Sequence, residues 1–330
     1  DRAFRWTQQT GMQDLGTLGG YSAAYDVSAD GSVVVGGSGG RAFRWVLTNP
    51  ATGAGTMYDL GAQLGNNWLY SASDVSADGR VVVGTAYNPN NTNFRRAFRW
   101  VLTNPATGAG TMYDLGTQLR YSSTEAVGVS ADGRIVVGTI NNNGNIYAFY
   151  WVLVNPATGW GTATTISYGG QVYAYAVSAD GFVMVGDVYP KAFRWTVETG
   201  RQDLADIVCN HYPSVRGVSA DGSVVVGYVY NPTGGGYARA VRWKRAGGDD
   251  LNITYNELLT DGSRLMVAYA VSPNGRYIVG RGYNAATGRE EAFLLDTGVS
   301  RCLDSDVNGD GVVDDADLLQ VLFDFGRGCN

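Results

Sequence analysis

The densest chemistry in the sequence lies near its end, where residues 306–317 read Asp-Val-Asn-Gly-Asp-Gly-Val-Val-Asp-Asp-Ala-Asp. Calcium takes six to eight oxygen ligands, and a twelve-residue loop supplies them from positions 1, 3, 5, 7, 9 and 12 with a Gly at 6 for the sharp turn. That spacing predicts a calcium site made by Asp306, Asn308, Asp310, the Val312 carbonyl and Asp317, with Asp314 ligating directly or through water. Residues 318–325 are apolar at helical spacing and would form the exiting helix. Cys302 and Cys329 bracket the segment and are expected to close it as a disulfide, a loop closure contributing about 3 kcal/mol. Cys209 is the odd one out, expected either to pair with another chain or to stay a buried free thiol.

Elsewhere the residues suited to chemistry are sparse. The single histidine, His211, stands beside Cys209, but no second His or Cys in the repeats completes a metal set, so a surface or loop role is expected. No nucleophile–His–acid set and no phosphate-cradling loop followed by a helix can be assembled. Asp26 and Asp74 are the one pair of carboxylates that a shared axis would bring together. The matching positions in the other repeats are Gly128, Ala176, Gly217 and Ala270, and no enzymatic activity is expected. Asn90 and Asn252 begin glycosylation sequons on predicted loops. Tyr21, Tyr25, Trp68, Tyr70, Trp160, Tyr173 and Tyr175 would stack on sugars where exposed, although most are expected in the core.

The elements that position these residues repeat. Val-Ser-Ala-Asp-Gly starts at Val27, Val75, Val129, Val177 and Val218 and returns as Val-Ser-Pro-Asn-Gly at Val271, a period of about 49 residues. Such a period signals a propeller or a solenoid. Ala-Phe-Arg-Trp starts at Ala3, Ala42 and Ala97 and recurs, altered in places, at Ala148, Ala192, Ala240 and Ala292. Within one unit, Asp78-Gly79 reads as a two-residue hairpin signal, and Val81-Val82-Val83 as a strand buried on both faces. Two further short strands complete a four-stranded antiparallel blade. Arg44, Arg99, Arg194 and Arg242 on third strands are expected to bond Asp59, Asp114, Asp203 and Asp250 on fourth strands. The Arg and the acid are both missing where Tyr150 replaces Arg, which suggested that contact.

Ala-Phe-Arg-Trp, then Met-x-Asp-Leu-Gly-Thr-Leu-Gly-Gly over residues 12–20, then Val-Ser-Ala-Asp-Gly and Val-Val-Val-Gly resemble the HAF-repeat family of bacterial extracellular proteins across residues 1–296. The resemblance implies secretion and a propeller-like fold and brings no established activity. Residues 301–330 resemble one half of a dockerin module, which implies calcium binding at Asp306, Asn308, Asp310 and Asp317. Dockerins carry two such repeats and this chain has one, so cohesin binding does not carry over.

Composition agrees with a turn-rich all-β protein: 47 glycines, 12% aromatic residues, and two lysines, Lys191 and Lys244. The tail from Cys302 holds seven acids and one base, which leaves 23 of each in the rest of the chain. No basic stripe suits nucleic acid, and no apolar run suits a membrane span. The chain opens at Asp1, as a processed secreted protein would.

The expected architecture is therefore a six-bladed β-propeller over residues 1–300 and a calcium loop and helix over 301–330. Six Val-Ser units against seven Ala-Phe-Arg-Trp strands leave one strand over. The third strand of the last blade would come from residues 291–295 or from residues 2–6. The expected function is a non-catalytic, secreted structural protein whose copies join head to tail. Its contact residues would be the surplus strand (Arg2, Ala3, Phe4, Arg5, Trp6), reinforced by Cys209. The alternative is a monomeric propeller that binds surface glycans or a surface protein and is attached through its tail.

Overall fold

A computed structural model describes residues 1–61, 68–91, 94–121, 123–208, 211–230, 236–245 and 247–299. The N-terminal hairpin joins β1 (Phe4–Thr7) to β2 (Gly11–Asp14). Blade 1 holds β3 (Ser22–Val27), β4 (Val33–Ser38), β5 (Arg41–Asn49) and β6 (Ala54–Asp59). Blade 2 holds β7 (Leu69–Val75), β8 (Val81–Tyr87), β9 (Arg95–Asn104) and β10 (Ala109–Asp114). Blade 3 holds β11 (Thr124–Val129), β12 (Ile135–Asn142), β13 (Asn145–Asn155) and β14 (Trp160–Ile166). Blade 4 holds β15 (Val172–Val177), β16 (Met184–Val188), β17 (Lys191–Thr196) and β18 (Gly200–Asp203). Blade 5 holds β19 (Tyr212–Val218), β20 (Val225–Tyr230), β21 (Arg239–Lys244) and β22 (Gly247–Asp250). Blade 6 has three described strands, β23 (Arg264–Val271), β24 (Tyr277–Asn284) and β25 (Arg289–Asp296). The fold is a six-bladed β-propeller of antiparallel blades.

The core lies between blades rather than within them. On β8, Val82 packs toward blade 1 while Val81 and Val83 pack toward blade 3, as expected for a strand buried on both faces. Phe98 and Trp100 of the Ala-Phe-Arg-Trp strand β9 face the preceding blade, where they meet Val33, Val35 and Leu60. Ala42, on the other side of its strand, faces the following blade.

The first connection of each blade is longer than a two-residue hairpin: five residues, 76–80, separate β7 from β8. The side chains explain the length. Ser76 Oγ donates to Asp78 (2.6 Å) and accepts from the Val81 N–H (2.9 Å), and Asp78 accepts from the Arg80 N–H (3.0 Å). The same staple forms around Asp221, whose carboxyl is held down at about 2 by the Ser223 N–H and the Ser219 and Ser223 hydroxyls.

Backbone bonds tie these turns from blade to blade. The N–H groups of Ala29, Ala77, Ala131, Asp180 and Ala220 donate to the carbonyls of Ala77, Ala131, Ala179, Ala220 and Pro273. Pro273 has no N–H, so the ladder cannot continue beyond blade 6.

The third-strand arginines do not meet the acids assigned to them. Arg5, Arg44 and Arg99 donate through Nε to the carbonyls of Gly31, Gly79 and Gly133, each in the turn of the following blade, at 2.8 to 2.9 Å. The Tyr150 hydroxyl donates to the Gly181 carbonyl in the same way, at 2.8 Å. The acids pair with other bases: Asp59 with Arg41, Asp114 with Arg96, Asp203 with Arg201 and Asp250 with Arg239. In blade 3 the residue matching Arg41 and Arg96 is Tyr147, so the acid vanished with that partner. Arg242 alone of the four bonds a carboxylate, that of Asp249 at 2.6 Å.

Candidate functional site

Besides the position of Asp26 and Asp74, two further positions of the innermost strand vary among the blades. One carries Ala23, Ser71, Glu125, Tyr173, Ser214 and Val267; the other carries Tyr25, Ser73, Val127, Tyr175, Arg216 and Tyr269. In blades 3 and 4 these residues line a pocket of about 330 Å³, together with Arg95, Ser123, Thr139, Asn141, Ile146 and Ala174. Arg95 pairs with Glu125 and stacks over the Tyr87 ring, 5.3 Å from its centroid. Burial, and next the Glu125 charge, push the Tyr87 hydroxyl up. The Tyr173 and Tyr175 rings are nearly parallel, 15° apart with centroids 6.4 Å apart.

Behind the pocket, Arg216 lies 4.7 Å from the Tyr175 centroid and 5.1 Å from that of Tyr228. Asp187 accepts from the Ser214 hydroxyl (2.7 Å) and the Val215 N–H (3.2 Å). Burial pushes its carboxyl up to about 6 against the pull of those donors and of Arg216. In the unfolded chain the group titrates near 3.8. Between those two values the folded chain holds a proton that the unfolded chain has lost, so stability falls as pH rises through this window and levels off above it. Asp187→Asn cannot ionise and should gain on the parent chain across the same window, read as a difference in melting temperature that grows with pH. Parallel melting curves from pH 4 to 7 would remove Asp187 as the titrating group.

Asp26 and Asp74 do meet, as the shared axis suggested. The Val75 N–H donates to Asp26 (2.9 Å) and to Asp74 (2.9 Å), and the Val129 N–H donates to Asp74 (2.7 Å). Burial and the Asp26 carboxyl push Asp74 well above the usual carboxylate range. The Val75 N–H is shared between the two carboxyls, whereas a retaining glycosidase holds its pair about 5 Å apart around the scissile bond. These acids hold neighbouring inner strands together. Among the described residues no three His, Cys, Asp or Glu side chains gather into a metal-binding group.

The two ends of the array form the second candidate site. β25 takes the third place in blade 6, paired along β24 from Tyr277↔Asp296 to Asn284↔Arg289. β1 pairs with β2 instead, and the hairpin packs on blade 1 as the outer half of a further blade. Ala3 and Leu15 are buried there, at 1% and 5% exposure, and the Ala3 N–H donates to Ser22 Oγ. Among the described residues its opposite face is open: Phe4, Trp6 and Met12 are 50%, 56% and 70% exposed, whereas their counterparts Phe98, Trp100 and Met112 are 0%, 1% and 7%. Among the described residues blade 6 is also open on its far side. Val279 is 42% exposed where Val35, Val83, Val137, Val185 and Val226 are all 0%, and Leu294 is 61% exposed. Among the described residues, the facing sides of the hairpin and of blade 6 are therefore less covered than their counterparts in the other blades.

Of the other residues singled out in the sequence, Arg2 is exposed beside the hairpin and Asn90 is exposed in a turn. The Asn252 amide both donates to and accepts from the Leu265 backbone (2.9 and 2.8 Å), so a glycan on its nitrogen would cost that bond. Tyr70 is core, whereas Tyr21, Tyr25 and Trp160 are exposed. Asp306, Asn308, Asp310, Val312, Asp314, Asp317, Cys302, Cys329 and Cys209 lie outside the described residues. Among the described residues no helix is long and apolar enough to cross a membrane.

No family model matches this chain, and no curated protein matches it in sequence. Solved structures share its fold. A putative TolB from Agrobacterium tumefaciens superposes with a TM-score of 0.53 at 14% identity, over 89% of this chain and 96% of that one. A mutant puromycin hydrolase complexed with PGG superposes with a TM-score of 0.59 at 14% identity, over 89% of this chain and 48% of that one. A second puromycin hydrolase structure gives a TM-score of 0.55 at 12% identity, over 91% and 50%. This chain thus spans about half the length of the hydrolase chains. At such identities the likeness carries the six-bladed propeller fold and no activity.

Proposed function

We propose that the chain is a non-catalytic structural protein of the cell exterior whose copies stack end to end. The observation that carries this reading is the match between its two open faces. Phe4, Trp6 and Met12 present the surface that Phe98, Trp100 and Met112 present to blade 1, and blade 6 offers the kind of surface that receives it. Exposed apolar faces of this extent favour burial. A contact between opposite ends of identical chains is heterologous and propagates unless its rotation closes a ring.

The proposed joint is a face rather than a lone strand, because β1 already has β2 as a partner. Sedimentation of the intact chain at rising concentration should show a continuing series of larger species. A strict monomer, or a dimer that grows no further, would overturn the reading.

In the same proposal the tail is a calcium-held attachment segment, supported by the ligand spacing of Asp306, Asn308, Asp310 and Asp317. Calcium should protect residues 302–329 from protease, and Asp306→Ala or Asp317→Ala should abolish the protection. Equal digestion in calcium and in chelator would remove the tail from the proposal.

A further inference from the structure

We propose that the pocket between blades 3 and 4 binds a neutral pyranoside, the end of a surface or matrix oligosaccharide. The site is distinct from the two open ends, and the inference stands whether or not the chains stack. Three observations carry it.

The first is shape. The volume of about 330 Å³ falls at the small end of the roughly 300–1,000 Å³ usual for ligand sites. The second is the wall. Tyr173 and Tyr175 form a nearly parallel pair of rings, and the Tyr173 hydroxyl donates to Gln171 (2.9 Å), which fixes that ring in place. The C–H face of a sugar packs on such rings by the contact that makes aromatic side chains strong anchors.

The third is the balance of polar groups. Glu125 gives Oε1 to Arg95, and Arg95 is held in turn over Tyr87, so the pair is pre-organised and carries no net charge. Asn141 and Thr139 add neutral polar groups on the same wall. A carboxylate or phosphate ligand would have to break the Arg95–Glu125 pair to gain a counter-ion, whereas hydroxyl groups can bond to both members as they stand. The chemistry therefore selects a neutral sugar over an acidic one. Glu125 and Tyr173 stand at a repeat position where no other blade carries Glu or Tyr, whereas the Tyr175 position also carries Tyr25 and Tyr269.

The test is calorimetric titration of the full chain with neutral β-linked trisaccharides (cellotriose, tri-N-acetylchitotriose and β-mannotriose) and with trigalacturonate as the acidic arm. At least one neutral sugar should bind, and trigalacturonate should bind none or far more weakly. Tyr173→Ala should weaken binding about tenfold. Because Tyr175 also holds Arg216, its replacement risks the fold; Thr139→Val and Glu125→Gln serve as second variants and should each weaken binding several-fold with an unchanged melting temperature. Failure of every neutral sugar to bind, preference for the acidic one, or binding that survives Tyr173→Ala and Glu125→Gln alike would overturn the proposal.

Discussion

Trp100→Ala should cost the folded chain about 3–5 kcal/mol, while Trp6→Ala, the same residue of the same motif, should leave the monomer's unfolding midpoint nearly unchanged and abolish end-to-end association. Trp100 is 1% exposed, among Val33, Val35 and Leu60 of the preceding blade and Phe98 and Met112 of its own. Removing it leaves a cavity that the rigid blades cannot collapse to fill. Trp6 is 56% exposed, with no preceding blade packed over it among the described residues, so its truncation removes little that they bury. In the stacked form it becomes a central aromatic anchor, and losing such an anchor costs at least about 2 kcal/mol of binding. Denaturant unfolding at low concentration and sedimentation at high concentration separate the two effects. If Trp6→Ala destabilises the monomer as much as Trp100→Ala does, the hairpin face is covered by its own chain and the stacking proposal falls. Phe4→Ala should follow Trp6→Ala, because its counterpart Phe98 is fully buried while Phe4 is 50% exposed.

The repeat made the fold legible before any coordinates. Six Val-Ser turns, a doubly buried Val-Val-Val strand and alternating turn signals lead to six blades, and the count of seven Ala-Phe-Arg-Trp strands against six turns anticipated an unsatisfied end. What the count could not decide was which strand wins the place beside β24. β25 follows it directly in sequence and closes a short loop, whereas β1 would have to come from the far end of the chain; the shorter closure costs less entropy.

The arginine pairing was misread for a different reason. A missing Arg and a missing Asp in one blade look like a broken bond, but Tyr147 and Tyr150 replaced two arginines at once, and the acid belonged to the first of them. Sequence covariation in six units cannot tell neighbouring positions apart. The pocket was half legible: Tyr173 and Tyr175 stood out as aromatics, but Glu125 and Arg95 did not. The usable signal was the pair of inner-strand positions that vary among the blades, where Glu125 and Tyr173 each occur once. Pro273 was visible as an altered letter in the sixth turn, yet its meaning as the end of the backbone ladder needed the bonds between blades.

Gly138→Ala should be among the most damaging single-methyl changes in the chain, costing about 3 kcal/mol. Its backbone is not left-handed, so the reason for glycine is space. A Cβ at Gly138 would lie 2.0 Å from the Glu125 carbonyl oxygen and 2.6 Å from the Phe149 ring. Neither neighbour can yield cheaply. Phe149 is 0% exposed in the core between blades 2 and 3, and Glu125 is held by the ladder of β11 on β12. The crowding comes from a bulge: the register of β11 on β12 slips between Ala126 and Gly128, which draws the inner strand over Gly138. The same slip recurs opposite Gly36, Gly84, Gly186, Gly227 and Gly280, where a Cβ would lie 2.0 to 2.1 Å from an inner-strand carbonyl. The final glycine of Val-Val-Val-Gly is therefore required by packing in every blade, and not by a turn. Gly144→Ala is the control. Its φ of +89° strains an alanine, but nothing lies within 4 Å of its Cβ, so only the backbone cost of about 1–2 kcal/mol applies. Gly138→Ala should also act on the proposed sugar site, because pushing β11 away would move Glu125 off Arg95 and open the pocket wall. It should lower sugar affinity at temperatures where the chain is still folded, whereas Gly144→Ala should leave affinity unchanged. Equal stability and equal affinity for the two variants would show that the inner strand is not seated on Gly138 as closely as described.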